Sequence, residues 1–143
     1  MNGGDRFTPP PVEAIAADVA AALAEDIGPG DATASLLQDA PDSAYLLCKE
    51  ECIVAGRPWF DACHRALDPD VRIDWRCAEG DRIAAGTVIA TLHGRNRALV
   101  SGERSSLNFL QTLSGTATTT AAYVDAVRGT GAKILDTRKT IPG

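Results

Sequence analysis

Apolar residues first recur at helical spacing over residues 12–26, where Val12, Ile15, Val19 and Leu23 share one side and alanine fills much of the rest. Pro11 is placed to occupy the first turn of this helix, and Gly28-Pro29-Gly30 stops it. Asp31 and Thr33 follow as capping or turning residues. The segment SAYLLCKEECIVAG (43–56) reads as two short strands meeting near Glu50 and Glu51. RPWFDACHRAL (57–67) predicts a short helix with Trp59, Cys63 and Leu67 on one face, and His64 beside it as a packing or surface histidine. VRIDWRC (71–77) alternates strictly, with Val71, Ile73, Trp75 and Cys77 pointing one way and Arg72, Asp74 and Arg76 the other, which predicts a strand.

Further on, Glu79-Gly80-Asp81 predicts a turn, Gly86 a break, and Val88, Ile89 and Leu92 another strand. This rhythm is similar to that of lipoyl and biotinyl domains, whose fold is a barrel-sandwich. Those carriers need a lysine in a tight hairpin, and residues 50–132 contain none. Ser101 is suited to cap a helix beginning near Glu103, with Leu107, Leu110 and Leu113 as its apolar stripe and Arg104, Asn108 and Gln111 on a common polar face. Ser114-Gly115 predicts an interruption, ATTTAAYVDAV a second helix, and AKILDT (132–137) a short strand leading into the loop RKTIPG.

With 143 residues, 45% of them hydrophobic, the chain is long enough to bury a core without disulfides or metals. No apolar run approaches the roughly 20 residues that cross a bilayer, and MNGGDRFTPPP lacks the layout of a signal peptide, so the expected address is the cytoplasm. Cys48, Cys52, Cys63 and Cys77 show no zinc spacing with His64 or His93 and read as reduced structural thiols; no metal ligands are expected.

Charge changes the picture more through its distribution than through its net value of −5. Residues 1–92 carry 7 basic and 16 acidic side chains, a net of −9, whereas residues 93–143 carry 7 basic and 3 acidic, a net of +4. Overall acidity argues against a nucleic-acid binder. The late cations Arg95, Arg97, Arg104, Arg128, Lys133, Arg138 and Lys139 suit a small anionic ligand, or else a solvated surface. A strand that delivers Arg138 and Lys139 into a loop, with Thr137 and Thr140 as hydroxyl donors, is where an α/β barrel would bind a carboxylate or phosphate.

Three segments, EDIGPGDAT (25–33), ERSSLNFLQTLSG (103–115) and DTRKTIPG (136–143), together resemble the quinolinate phosphoribosyltransferase family, also called carboxylating nicotinate-nucleotide pyrophosphorylases. The resemblance implies an α+β chain. An irregular arm (1–11) precedes an N-terminal α/β sandwich with barrel-sandwich-like strands (12–112). A helical connection and the first strand of a truncated α/β barrel (113–143) follow. It implies an enzyme of NAD biosynthesis that makes nicotinate mononucleotide, pyrophosphate and CO2 from quinolinate and phosphoribosyl pyrophosphate with Mg2+, working as a homodimer without nucleic acid or membrane. It assigns substrate binding to Arg104, lent across the dimer to the neighbouring site, and to Thr137, Arg138 and Lys139 on the barrel side. No catalytic residue or metal ligand is expected within this chain.

Some positions depart from the family pattern: Ser105-Ser106 for the usual Thr-Ala, Thr116 for isoleucine, Ile141 for threonine and Cys52 for a small glycine. The family's barrel also needs well over a hundred further residues, so the expectation is an N-terminal portion inactive alone. The alternatives are a non-enzymatic dimerisation remnant, or a phosphoribosyltransferase that uses nicotinate.

Overall fold

A computed structural model describes residues 8–137 and Lys139. Helix α1 (Val12–Ile27) buries Ile15, Val19 and Leu23, as the periodicity requires, while Val12 at its first turn stays 76% exposed. Pro11 stands one position earlier than expected, as the residue before the helix, and accepts hydrogen bonds from the amides of Ala14 and Ile15. Gly28 ends α1 with φ +51°, a conformation that L side chains rarely adopt. Asp31 then caps the short helix α2 (Ala32–Ser35) by accepting from Ala34 N at 3.0 Å; Thr33 lies inside that helix.

Strands β1 (Pro41–Cys48) and β2 (Cys52–Ile53) occupy the two expected stretches but belong to different sheets. After helix α3 (Arg57–Leu67) come β3 (Arg72–Trp75), β4 (Arg82–Ile83) and β5 (Thr87–Arg95). The central strand β5 pairs antiparallel with both β1 and β3, so that Ala44 and Ile73 both face Leu92 across the ladders. A bulge interrupts the β1 ladder between Leu46 and Leu47. A separate ribbon pairs Cys52 with Ile83 and Ile53 with Arg82.

Chain direction then changes abruptly into helix α4 (Asn96–Ala126), which is continuous for 31 residues. This corrects two expectations. The helix starts seven residues before Glu103, and Ser101 is not its cap: its hydroxyl donates to Asp31 Oδ2 at 2.7 Å from inside the helix. The early start is held by distant partners, since Asn96 bonds Ala40 N and Gln38 O while Arg97 bonds Leu37 O. Nor does Ser114-Gly115 break the helix. Ser114 is buried, with its hydroxyl accepting from Ala55 N and donating to Ala55 O, both at 3.0 Å, and Gly115 lies in open space. Thr116, Thr118 and Thr120 donate their hydroxyls to carbonyls four residues back. The expected boundary at residue 112 therefore falls within one unbroken helix.

The expected strand 132–137 has no strand structure. Strand residues need a ladder partner, and none is present among the described residues; Ile134 is 42% and Leu135 78% exposed.

Two apolar clusters hold the elements together. Val54, Phe60, Ile89, Leu92, Leu99 and Leu110 fill the space between the three-stranded sheet and helices α3 and α4. Ile15, Val19, Leu23, Trp59 and Cys63 join α1 to α3. His64 is a packing histidine, 3% exposed and tilted against Phe60 with ring centroids 4.9 Å apart. His64 Nε2 lies 3.1 Å from Ser106 Oγ, which also lies 3.0 Å from Glu103 O, while Nδ1 faces Gly102 and has no hydrogen-bond partner among the described residues. Burial lowers the His64 pKa to about 4, keeping the ring neutral.

Candidate functional site

Arg104 leaves the third turn of α4 on its polar face, where Arg104, Asn108 and Gln111 are all exposed as their spacing requires. It borders an open cleft of about 770 Å3 between α1 and α4, whose walls include Asp18, Asp26, Trp59, Asn108 and Phe109. Trp59 is fixed there by donating its indole N–H to Asp18 Oδ2 at 3.0 Å.

The guanidinium of Arg104 is held by Asp26, with Nη1 donating to Oδ1 at 2.8 Å. Asp26 is mostly covered and Arg104 largely exposed, at 19% and 77% of their side chains. The contact occupies one edge of the fork, and no other hydrogen bond to the guanidinium is present among the described residues. A planar fork anchored in this way by a mostly covered carboxylate can still offer paired N–H groups to a second carboxylate.

Asp31 lies nearby. Its carboxyl is held below the ordinary carboxylate range, first by the Ala34 N–H and next by the Ser101 hydroxyl, with a smaller attraction from the Arg104 charge. Segments 25–33 and 103–115 are thus joined, directly through Asp26 and Arg104 and electrostatically through Asp31. Asp26 was not singled out from the sequence. Its signal was its place in EDIGPGDAT, but a carboxylate at a helix end has no visible partner until α4 is packed against α1.

The late cations do not form one anionic-ligand patch. Arg95 pairs with Asp39, Arg97 bonds Leu37 O, Arg104 pairs with Asp26 and Arg128 with Asp125. Two of these partners, Asp39 and Asp26, come from the acidic first part of the chain, one lies within the late segment itself, and one is a backbone carbonyl.

Thr137 and Lys139 lie in an exposed stretch in which Lys139 N donates weakly to Thr137 Oγ1 at 3.4 Å. Arg138 and Thr140 lie outside the described residues. No hydrogen bond or ion pair joins Arg104 to Thr137 or Lys139 among the described residues. No three His, Cys, Asp or Glu side chains converge to hold a metal ion there. No described helix is long and apolar enough to cross a membrane.

Residues 31–114 match the family model for the N-terminal domain of quinolinate phosphoribosyl transferase. The chain belongs to the quinolinate phosphoribosyltransferase family. It is 40% identical over 122 residues to a probable carboxylating nicotinate-nucleotide pyrophosphorylase of Synechocystis sp., an alignment covering 85% of this chain and 41% of that protein. A Bacillus subtilis protein of the same description is 42% identical over 120 residues, covering 83% of this chain and 42% of the relative. The nicotinate-nucleotide pyrophosphorylase of Francisella tularensis superposes with a TM-score of 0.92 at 36% identity, covering 98% of this chain but 50% of that structure. The family's mixed helix and antiparallel-sheet architecture is therefore shared, and the chain spans about half or less of the length of these relatives.

Proposed function

We propose that this chain supplies the N-terminal half of a quinolinate phosphoribosyltransferase site, with Arg104 gripping a substrate carboxylate. The supporting observation is the anchored guanidinium: Asp26 holds Arg104 Nη1 at 2.8 Å, and the Arg104 side chain, 77% exposed, lines the cleft. In this reading Thr137, Arg138 and Lys139 bind the same class of ligand in the adjoining subunit of a homodimer. Among the described residues, no hydrogen bond or ion pair joins Arg104 to Thr137 or Lys139, which is compatible with that division.

Quinolinate carries two adjacent carboxylates on a pyridine ring. One arginine already facing Asp26, with Asp18 and Glu25 on the same cleft, cannot balance two negative charges. Capture therefore needs converging cations from elsewhere, which is the electrostatic reason for a composite site. Once bound, the ring nitrogen attacks the anomeric carbon of phosphoribosyl pyrophosphate as pyrophosphate leaves. The sugar gains oxocarbenium character, so positioning and charge compensation supply most of the acceleration. The resulting pyridinium accepts the electron pair released as the neighbouring carboxylate departs as CO2, and the carbon left behind takes a proton. Magnesium enters this proposal with the phosphoribosyl pyrophosphate donor, where it would offset the charge of the departing pyrophosphate, its protein ligands being expected from the barrel half. The cytoplasmic address expected from the sequence belongs to the same reading.

The test is a chimera in which this chain replaces the matching half of the Francisella tularensis relative. Release of labelled CO2 from quinolinate, dependent on phosphoribosyl pyrophosphate, is expected. Arg104→Ala should lower kcat/KM by about 30- to 1,000-fold, equivalent to ~2–4 kcal/mol, mainly by raising KM for quinolinate. A folded chimera that turns over nicotinate but not quinolinate would favour the other phosphoribosyltransferase, and an unchanged KM in the Arg104 variant would remove that residue from the site.

A further inference from the structure

Four free thiols lie outside the proposed chemistry, and two of them touch. Cys48 ends β1 and Cys52 opens β2; the connection through Lys49, Glu50 and Glu51 folds back so that the sulfurs lie 3.5 Å apart. Cys48 is 8% exposed and also directs its S–H to Glu50 O at 2.9 Å, whereas Cys52 is only half-buried. The other thiols are placed differently. Cys63 is sealed in the α1/α3 cluster, and Cys77 sits against Ile89 O at 4.0 Å.

A disulfide requires sulfurs about 2.05 Å apart, so closure asks for an approach of roughly 1.5 Å. Little ladder structure holds the connection between the two sulfurs. β1 is bulged one residue before Cys48's neighbour Leu47, β2 has only two residues, and the intervening Lys49–Glu51 turn belongs to neither ladder.

We propose that Cys48 and Cys52 form a redox-active dithiol, oxidised to an intramolecular disulfide by small disulfides of the glutathione class. The more accessible Cys52, as its thiolate, attacks one sulfur of the small disulfide; that S–S bond breaks and one small thiolate leaves. Cys48, losing its proton, then attacks Cys52 Sγ in the mixed disulfide and expels the second small thiolate. The protein loses two electrons and two protons, and the small disulfide gains both to become two thiols. Closure ties the end of the three-stranded sheet to the start of the two-stranded ribbon.

Burial, with the neighbouring Cys48 thiol, pushes the Cys52 thiol up to about 11, so the thiolate is scarce at neutral pH and exchange is best followed under mildly alkaline conditions. The reduced full chain is incubated with oxidised glutathione, the remaining thiols are alkylated, and the product is mapped by mass spectrometry. Before alkylation the expected product is about 2 Da lighter than the reduced chain; after unfolding and alkylation Cys48 and Cys52 are found linked and Cys63 and Cys77 alkylated, and dithiothreitol reverses the link in full. Cys48→Ser should instead stop at a glutathione adduct on Cys52, about 305 Da heavier. A persistent adduct on the unmutated chain, a link to Cys77, or no oxidation while a dithiol peptide control reacts would each overturn the proposal.

Discussion

At Gly102, α4 packs against His64 and Leu67 of α3, and a matched pair of substitutions in the same helix measures how tight that contact is. In an open helical interior, alanine is favoured over glycine by about 1 kcal/mol. At Gly115, where a Cβ would meet nothing within 4 Å, Gly115→Ala should realise that gain in full. At Gly102 the added Cβ would lie 2.8 Å from His64 Nδ1, 3.0 Å from its Cε1 and 3.3 Å from Leu67 Cδ1. The imidazole has little room to retreat, because Nε2 is bonded to Ser106 and the ring packs on Phe60. Overpacking of this kind costs about 1–3 kcal/mol, which offsets or exceeds the helical gain. The two variants should therefore differ by about 1–3 kcal/mol, a separation on the order of 1 M in the midpoint of urea unfolding. Equal stabilisation by both substitutions would show that the α3–α4 contact is slack and that the reasoning from Gly102 is wrong.

The remaining predictions concern His64, Ser114 and Asp26. Because the folded-state pKa of His64 is about 4 against an ordinary 6.5, the unfolded chain takes up this proton first; the contribution is complete above pH 6.5 and is lost as pH falls toward 4. Comparing urea unfolding of the unmutated chain and His64→Gln across that window should reveal a difference approaching about 3 kcal/mol, and parallel pH profiles would contradict it. Ser114→Ala strands both polar groups of Ala55 and should lower stability by about 1–3 kcal/mol in thermal or urea unfolding. Asp26→Asn removes a pair whose arginine is largely exposed, so stability should change by less than about 0.5 kcal/mol, while in the chimera KM for quinolinate rises several-fold at unchanged kcat.

What the sequence determined by itself was local. The 3.6-residue spacing of Ile15, Val19 and Leu23, the alternation of Val71, Ile73 and Trp75, and the stop at Gly28 each act within a few residues, so these elements are legible without their neighbours. The three motif segments likewise marked the family and pointed to Arg104. Tertiary structure decided whatever depends on a partner far away in the chain. Ser114 and Gly115 read as a break, yet the helix persists because Ala55, 59 residues away, takes up the serine hydroxyl. Residues 132–137 read as a strand, yet a strand exists only where another backbone completes its hydrogen bonds. The anchor on Arg104 comes from Asp26, 78 positions earlier, and only the packing of α1 beside α4 sets a carboxylate against that guanidinium.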